Sequence, residues 1–227
     1  MKMLTFAKRC AKEILRDPLN LAFGLGFPLV LLVLLAGLKK FFNKPFDLEA
    51  VTIDMGLGMD YSAVEKLCAE LDVPYTIVKT EIAPIIFDHR KEKNPCSLCA
   101  RMRRGCLYEY AQSRGCNKIA LGHHFDDVIE TTLLNIFYGS EIKTMLPKLH
   151  STNFEGMELI RPMYLIKEMD ILSWQKYNNL EFINCACSFT NKQTELGKRS
   201  EIKELIKNLR KNNKDIDYNI FKSMSNI

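Results

Sequence analysis

The chain has 227 residues, 47% hydrophobic and 26% charged, enough for one sizeable folded α/β domain with appendages and unlike a disordered or fibrous chain. The net charge of +5 is a mild bias toward anionic partners, and it is concentrated in two places. Six Lys/Arg stand against two acids from Asp88 to Arg104, and nine against five from Phe189 to the end, patterns that suit either an RNA backbone or solvated helix faces.

The first forty residues differ in character from the rest. Met1 to Leu19 is basic, and Leu21 to Leu38 follows as 18 residues without a charge, close to the roughly 20 that span a bilayer. The alternative is a buried helix of an α/β core, apolar all round. Gly24, Gly26 and Pro28 weaken the beginning of a continuous helix, so membrane contact through 21–38 is the less favoured reading. As a core helix it is expected to turn Leu31, Leu34, Leu35 and Leu38 toward a sheet. No cleavable signal peptide is evident, so a cytoplasmic location is expected.

After Pro45 the pattern alternates between strand and helix. Strands are expected at 48–54, 74–80, 117–122 and near 159–161. Asp60 can cap a helix carrying Val64, Leu67, Cys68 and Leu71 at helical spacing. Further helices are expected over 101–114, over 128–138 with Gly139 as its stop, and over 167–178. A last helix places Ile202, Leu205, Ile206 and Leu209 on one face. Alternating elements of this kind predict a parallel sheet with helices on both faces. The expected organisation is an atypical N-terminal segment at 1–28, an α/β domain at 29–189 and a basic helical tail at 190–227.

Three constellations carry chemistry. Cys96-x-x-Cys99 in "NPCSLCARMRRG" is a metal half-site or a redox pair, and "INCACSF" adds Cys185 and Cys187. Four thiolates could hold zinc or an iron–sulfur cluster; unligated core cysteines are the bland alternative. "LGHHFDD", Leu121 to Asp127, sits where a strand ends and a helix begins, the place where open α/β sheets bind ligands. Its two histidines and two aspartates could position Mg²⁺ and a nucleotide phosphate; Asp126 and Asp127 can equally cap the helix. "VTIDMG", Val51 to Gly56, ends another strand with an acid and a glycine, suited to recognising adenine or ribose.

Taken together, Cys96-x-x-Cys99 with "RMRRG", then "KIALGHHFDDVIETTLLNIFYG", "PKL", "IRPM" and the late cysteine pair resemble the tRNA 2-thiocytidine synthetase family. That family belongs to the PP-loop ATP pyrophosphatase superfamily, with an adenine-nucleotide alpha-hydrolase-like fold. The resemblance implies that ATP and Mg²⁺ adenylate C2 of an anticodon-loop cytidine and that a sulfur then displaces AMP. It implies a 4Fe-4S cluster on Cys96, Cys99 and, from the later pair, Cys185, with one iron position open. It places Asp54, Gly122, His123, Asp126 and Asp127 around the nucleotide and gives Asp127 and Arg103 catalytic roles. Arg103 and Arg104 would face phosphate or tRNA. The implied partners are tRNA, ATP and a sulfur donor such as a cysteine desulfurase, and a homodimer is allowed.

One part departs from the family pattern. The diagnostic Ser-Gly-Gly-Lys-Asp-Ser loop, whose backbone N–H groups grip pyrophosphate, is replaced by "FGLGFP", Phe23 to Pro28, and the strand ahead of it is expected to be missing. "FAKRCAKEILRDPLNLAFGLGFPLVLL" instead resembles the start of ABC-2 type transporter permeases, so the stretch reads as a seam. The expectations are a family-like fold and cluster site with impaired ATP chemistry, or else a non-catalytic metal-containing tRNA-binding protein or a membrane-tethered fusion.

Overall fold

The computed structural model describes residues 26–90, 95–178 and 198–224. Residues 6–25 of the permease-like segment, the expected loss of a first strand, and Cys185 and Cys187 all lie outside the described residues. In chain order the elements are α1 (Gly26–Phe41), β1 (Ala50–Asp54), α2 (Ser62–Glu70), β2 (Tyr75–Lys79), a short helical stretch Ile82–Pro84 that widens into a π-turn over Ile85–Arg90, and α3 (Pro95–Ser113). Then come β3 (Lys118–Ala120), α4 (Phe125–Leu134) with a π-turn Asn135–Gly139, β4 (Lys148–His150), β5 (Glu158–Ile160), α5 (Glu168–Tyr177), α6 (Lys198–Asn212) and α7 (Ile216–Ser223).

The strands are parallel, as the alternation implies, with one exception. β1 and β2 pair in parallel with Ala50 opposite Tyr75 and Asp54 opposite Lys79, and β3 and β5 pair in parallel with Lys118 opposite Glu158. β4 adds an antiparallel edge to β5, which the sequence pattern did not announce because its three residues are all exposed. Glu158 on β5 accepts from Lys118 on β3 and from Lys148 on β4, so one carboxylate ties the three strands together. Among the described residues the strand orders are β1–β2 and β3–β5–β4, so β1 and β3 each pair along one edge.

Helix α1 packs against both strand groups. Leu29, Leu32, Val33 and Ala36 pack with Val64, Leu67, Cys68 and Leu71 and reach Leu48 and Ala50 at β1. Val30 and Leu31 pack with Met163 and Ile171 and reach Ala120 at the end of β3. Helix α3 covers the opposite face. Its Tyr110 hydroxyl donates to Glu49, and its Tyr108 and Ala111 meet Ile119 and Leu159. The alternation is that of a pleated strand, with Leu48, Ala50 and Ala120 facing α1 and Glu49 and Ile119 facing α3.

This arrangement corrects the sequence expectation for α1. Leu31 is buried at 4% exposure, but Leu38 is 38% exposed and does not meet a sheet. The buried set is wider than one stripe because two clusters flank the helix. No helix among the described residues is long and apolar enough to cross a membrane. The stop of α4 also shifts. The left-handed residue is Ser140, with φ 54°, rather than Gly139, because a π-turn carries the helix one residue further. Leu205 is 36% exposed while Ile202 and Ile206 carry the buried face of α6.

Leu31→Ala is expected to lower unfolding free energy by about 2–5 kcal/mol, because it leaves a cavity at the α1 contact with Met163. Leu38→Ala is expected to change it by less than about 0.5 kcal/mol. Urea denaturation of the two variants, followed by circular dichroism, checks the pair.

Candidate active site at the strand ends

Helix α3 fixes the relative sense of β1 and β3. Near its start, Cys99 Sγ lies 3.4 Å from Met55 Sδ, just past the carboxyl end of β1. Near its end, Tyr110 and Arg114 reach Glu49 beside the amino end of β1. The chain then turns at Gly115 and starts β3, so β3 runs back parallel to β1. Asp54 and the residues after Ala120 therefore open onto the same edge, where ligands of parallel sheets bind.

At the β1 end, Asp54 Oδ1 accepts from the Gly56 amide at 3.1 Å and from the Tyr61 hydroxyl at 3.2 Å. Thr80 closes the same turn, its amide and hydroxyl both donating to the Asp54 carbonyl. Gly56 has φ +79°, and a Cβ there would lie 3.1 Å from the Thr80 carbonyl oxygen, so the turn has room only for glycine.

Cys96 and Cys99 lie in the first turns of α3, three residues apart and so on one face of the helix. Arg103 follows four residues after Cys99 along that face; both it and Arg104 are exposed. The spacing brings a soft thiol donor to the edge where Asp54 ends its strand. Among the described residues no three His, Cys, Asp or Glu side chains form a metal-binding group, and Cys185 lies outside them.

At the β3 end, Leu121 to His124 form the turn into α4, with Gly122 half-buried in it. The four polar side chains that follow have distinct environments. His123 is half-buried, its Nδ1 has no partner among the described residues, and burial pushes its pKa down although Asp127 pulls the other way. Burial thus favours the neutral imidazole, with Nδ1 left unpartnered among the described residues. His124 is buried, its amide donates to Asp127 Oδ2 at 3.1 Å and its Nε2 lies 3.4 Å from the same oxygen. Asp127 thus caps α4, while its Oδ1 faces outward with Arg199 at 3.9 Å.

Asp126 is turned into the protein and away from the nucleotide position expected for it. It is 6% exposed, Oδ2 accepts from the Glu168 amide at 2.7 Å, and Oδ1 accepts from Arg210 at 2.8 Å. It caps the start of α5 and pins α6, an anchoring role. Asp127 is the more exposed of the pair.

Sequence reasoning missed the ionic layer behind this edge. Glu130, 3% exposed, meets Arg199 at 3.3 Å and Lys203 at 3.6 Å, and Lys203 also reaches Glu168 at 3.3 Å. Burial pushes the Glu130 carboxyl up to about 7 in spite of both cations. The available signal was Glu130 itself, an acid three residues after Asp127 in the otherwise uncharged run "VIETTLL". Its cationic partners lie nearly seventy residues away, beyond the reach of local spacing.

Asp126→Ala is expected to cost about 2–3 kcal/mol, since it removes two charge-assisted hydrogen bonds, and Asp127→Ala about 1 kcal/mol for a lost cap. Urea unfolding separates the two. Because the folded Glu130 is raised above its ordinary 4.5, its contribution is present below that value and is lost as pH climbs through about 7. Glu130→Gln should therefore flatten the fall in stability between those pH values, as read from unfolding midpoints across a pH series.

The PP-loop domain family matches residues 19–209 of the chain. The tRNA-cytidine(32) 2-sulfurtransferase of Coxiella burnetii (strain RSA 493 / Nine Mile phase I) is 37% identical over 203 residues, covering 87% of this chain and 76% of that protein. The tRNA-cytidine(32) 2-sulfurtransferase 2 of Francisella tularensis subsp. tularensis (strain WY96-3418) is 38% identical over 199 residues, covering 87% and 78%. In fold the chain is similar to the U34-tRNA thiolase NcsA from Methanococcus maripaludis, solved with its [4Fe-4S] cluster. The TM-score is 0.73 at 24% identity, over 98% of this chain and 78% of that one. With thiol, aspartate and histidine gathered on one strand edge and relatives of this similarity along most of its length, the chain belongs to the PP-loop family, among the tRNA-cytidine(32) 2-sulfurtransferases.

Proposed function

We propose that this chain is a tRNA thiolation protein acting on an anticodon-loop cytidine. One observation carries the reading: Cys99 at the end of β1 and His123 with Asp127 at the end of β3 open on the same edge. Activation and sulfur delivery need neighbouring sites, because an adenylated base must meet sulfur before it meets water. The relatives' names supply the substrate class.

The residues present fit the implied groups. The outward Oδ1 of Asp127 and the unpartnered Nδ1 of His123 suit an Mg²⁺–nucleotide complex. Two thiols one helical turn apart suit an iron–sulfur cluster, with Cys185 as the third donor by resemblance. Such a cluster, when bound, supplies an open iron position for incoming sulfur. Asp127 would hold the cation, which would supply charge neutralisation at the phosphates, and His123 would offer its unpartnered Nδ1 without adding charge. Asp54, bound to Gly56 and Tyr61, keeps the β1 turn in shape for the base or ribose. Arg103 stands one turn beyond Cys99 on the same helix and is exposed, which suits the RNA-phosphate role the resemblance implies. A cysteine desulfurase as sulfur donor, a homodimer, and a permease origin for the basic N-terminal segment are finer readings; the last rests on that segment's sequence alone.

The second reading is a tRNA-binding protein without adenylation, favoured by "FGLGFP" where the family has Ser-Gly-Gly-Lys-Asp-Ser. Phe27 and Pro28 bring a ring and a residue with no N–H to positions that should donate to pyrophosphate. Loss of one preorganised donor alone costs ~10²–10³ in rate.

The chain as it stands is expected to make little 2-thiocytidine. Replacing Met1 to Pro28 with a strand ending in Ser-Gly-Gly-Lys-Asp-Ser should restore it, and in that background Asp127→Ala should cut turnover far more than tRNA binding. Nucleoside mass spectrometry after incubation with ATP, Mg²⁺, sulfide and reductant reads the outcome. Cys99→Ala is expected to abolish iron and sulfide uptake on anaerobic reconstitution. Robust thiolation by the unrepaired chain would show that "FGLGFP" serves as the loop.

A further inference from the structure

Helix α6 carries Arg199, Lys203, Lys207 and Lys211, four cations spaced four residues apart. Such an i, i+4, i+8, i+12 row forms a ridge inclined to the helix axis, with rungs about 6 Å apart along that axis. The two ends of the row differ. Arg199 and Lys203 are held by Asp127, Glu130 and Glu168 beside the candidate active site. Lys207 and Lys211 are exposed, and Lys211 donates to Asn208 Oδ1 at 2.9 Å. A surface depression of about 400 Å³ runs along the row, lined by Ser200, Lys203, Glu204, Lys207, Asn208 and Lys211.

We propose that this ridge is a docking surface for the phosphodiester backbone of the tRNA substrate, leading it toward Asp127. The proposal rests on the thiolation reading and adds to it the surface that holds the RNA. Three observations favour an RNA backbone over other anionic partners. The charges repeat at a near-constant step, which suits a polymer of evenly spaced phosphates. The apolar side of α6 is largely consumed internally, with Ile202 and Ile206 buried against Phe125 and Ile129, and the 36%-exposed Leu205 is too small an apolar surface to enter a lipid interface. And the row is continuous with the site, since its first rung is the Arg199 that lies 3.9 Å from Asp127.

The anchored rungs fix the helix; the exposed rungs make the contacts. Each phosphate neutralised releases counterions and adds about 0.7 to 0.9 to the slope of log affinity against log salt. Lys207→Ala with Lys211→Ala should therefore lower the magnitude of that slope by about 1.4 to 1.8. Alanine is a strong helix former, so the fold is expected to persist, as circular dichroism would verify. ATP affinity should not change. The control is Lys39→Ala with Lys40→Ala, two exposed charges at the end of α1, before the chain enters the amino end of β1. It should leave the slope unaltered.

The measurement is fluorescence anisotropy of the full chain with unmodified tRNA over a salt series, with sedimentation on anionic vesicles in parallel. A variant that binds tRNA with the unaltered slope overturns the ridge assignment while leaving the thiolation reading in place. Loss of vesicle binding with tRNA binding intact overturns it in favour of a membrane surface. An unaltered chain that binds no tRNA at all overturns the thiolation reading and the ridge with it.

Discussion

Helix α1 is the part on which the other contacts depend. From Leu29 to Gly37 it has no exposed residue, because one flank packs on α2 and β1 while the other packs on Met163, Ile171 and the end of β3. A run of leucines and valines is therefore required here whatever the flanking sequence was derived from. An amphipathic helix could satisfy one flank only. The composition that made this stretch look like a membrane segment is the composition of a helix sandwiched between two clusters. Remove its apolar contacts and the strand ends that carry Asp54 and His123 lose their common support on that face.

Behind the site edge, charge is used for position. Asp126, Asp127 and Glu130 lie within two turns of α4, yet each has a different neighbourhood. Asp126 is enclosed by a backbone amide and a guanidinium, Asp127 is shared between a cap and an open side, and Glu130 sits so deep that desolvation outweighs two cations. The result is a graded set of carboxylates on a single helix, of which Asp127 is the most exposed. Helix α6 supplies the counter-charges through Arg199, Lys203 and Arg210, so the basic tail is a component of the site's framework.

Much of this was legible in the sequence where structure is local. Strand and helix positions followed from apolar spacing, whereas the N-cap of α2 is Tyr61, one residue past the expected Asp60, whose carboxylate accepts from the Ser62 amide at 2.9 Å. The "LGHHFDD" segment lies at the strand-to-helix turn where its composition placed it. What escaped is what depends on distant partners. Asp126 and Asp127 look equivalent in sequence; Arg210 and the Glu168 amide make them different. β4 has no buried residue to announce it, and α7 is too short for its spacing to stand out. The buried side of α1 was misassigned at Leu38 because a single stripe was assumed where two neighbours compete.

The double commitment of α1 bears on how the protein can be handled. Its side chains cover one cluster at Val64, Leu67 and Cys68 and another at Met163 and Ile171. A fragment cut to begin after Phe41 would bare both clusters at once, and exposed apolar patches of that kind stick to whatever is nearest. In a concentrated preparation that is another copy of the same fragment. Trimming for the sake of solubility that reaches past Leu29 would therefore work against solubility.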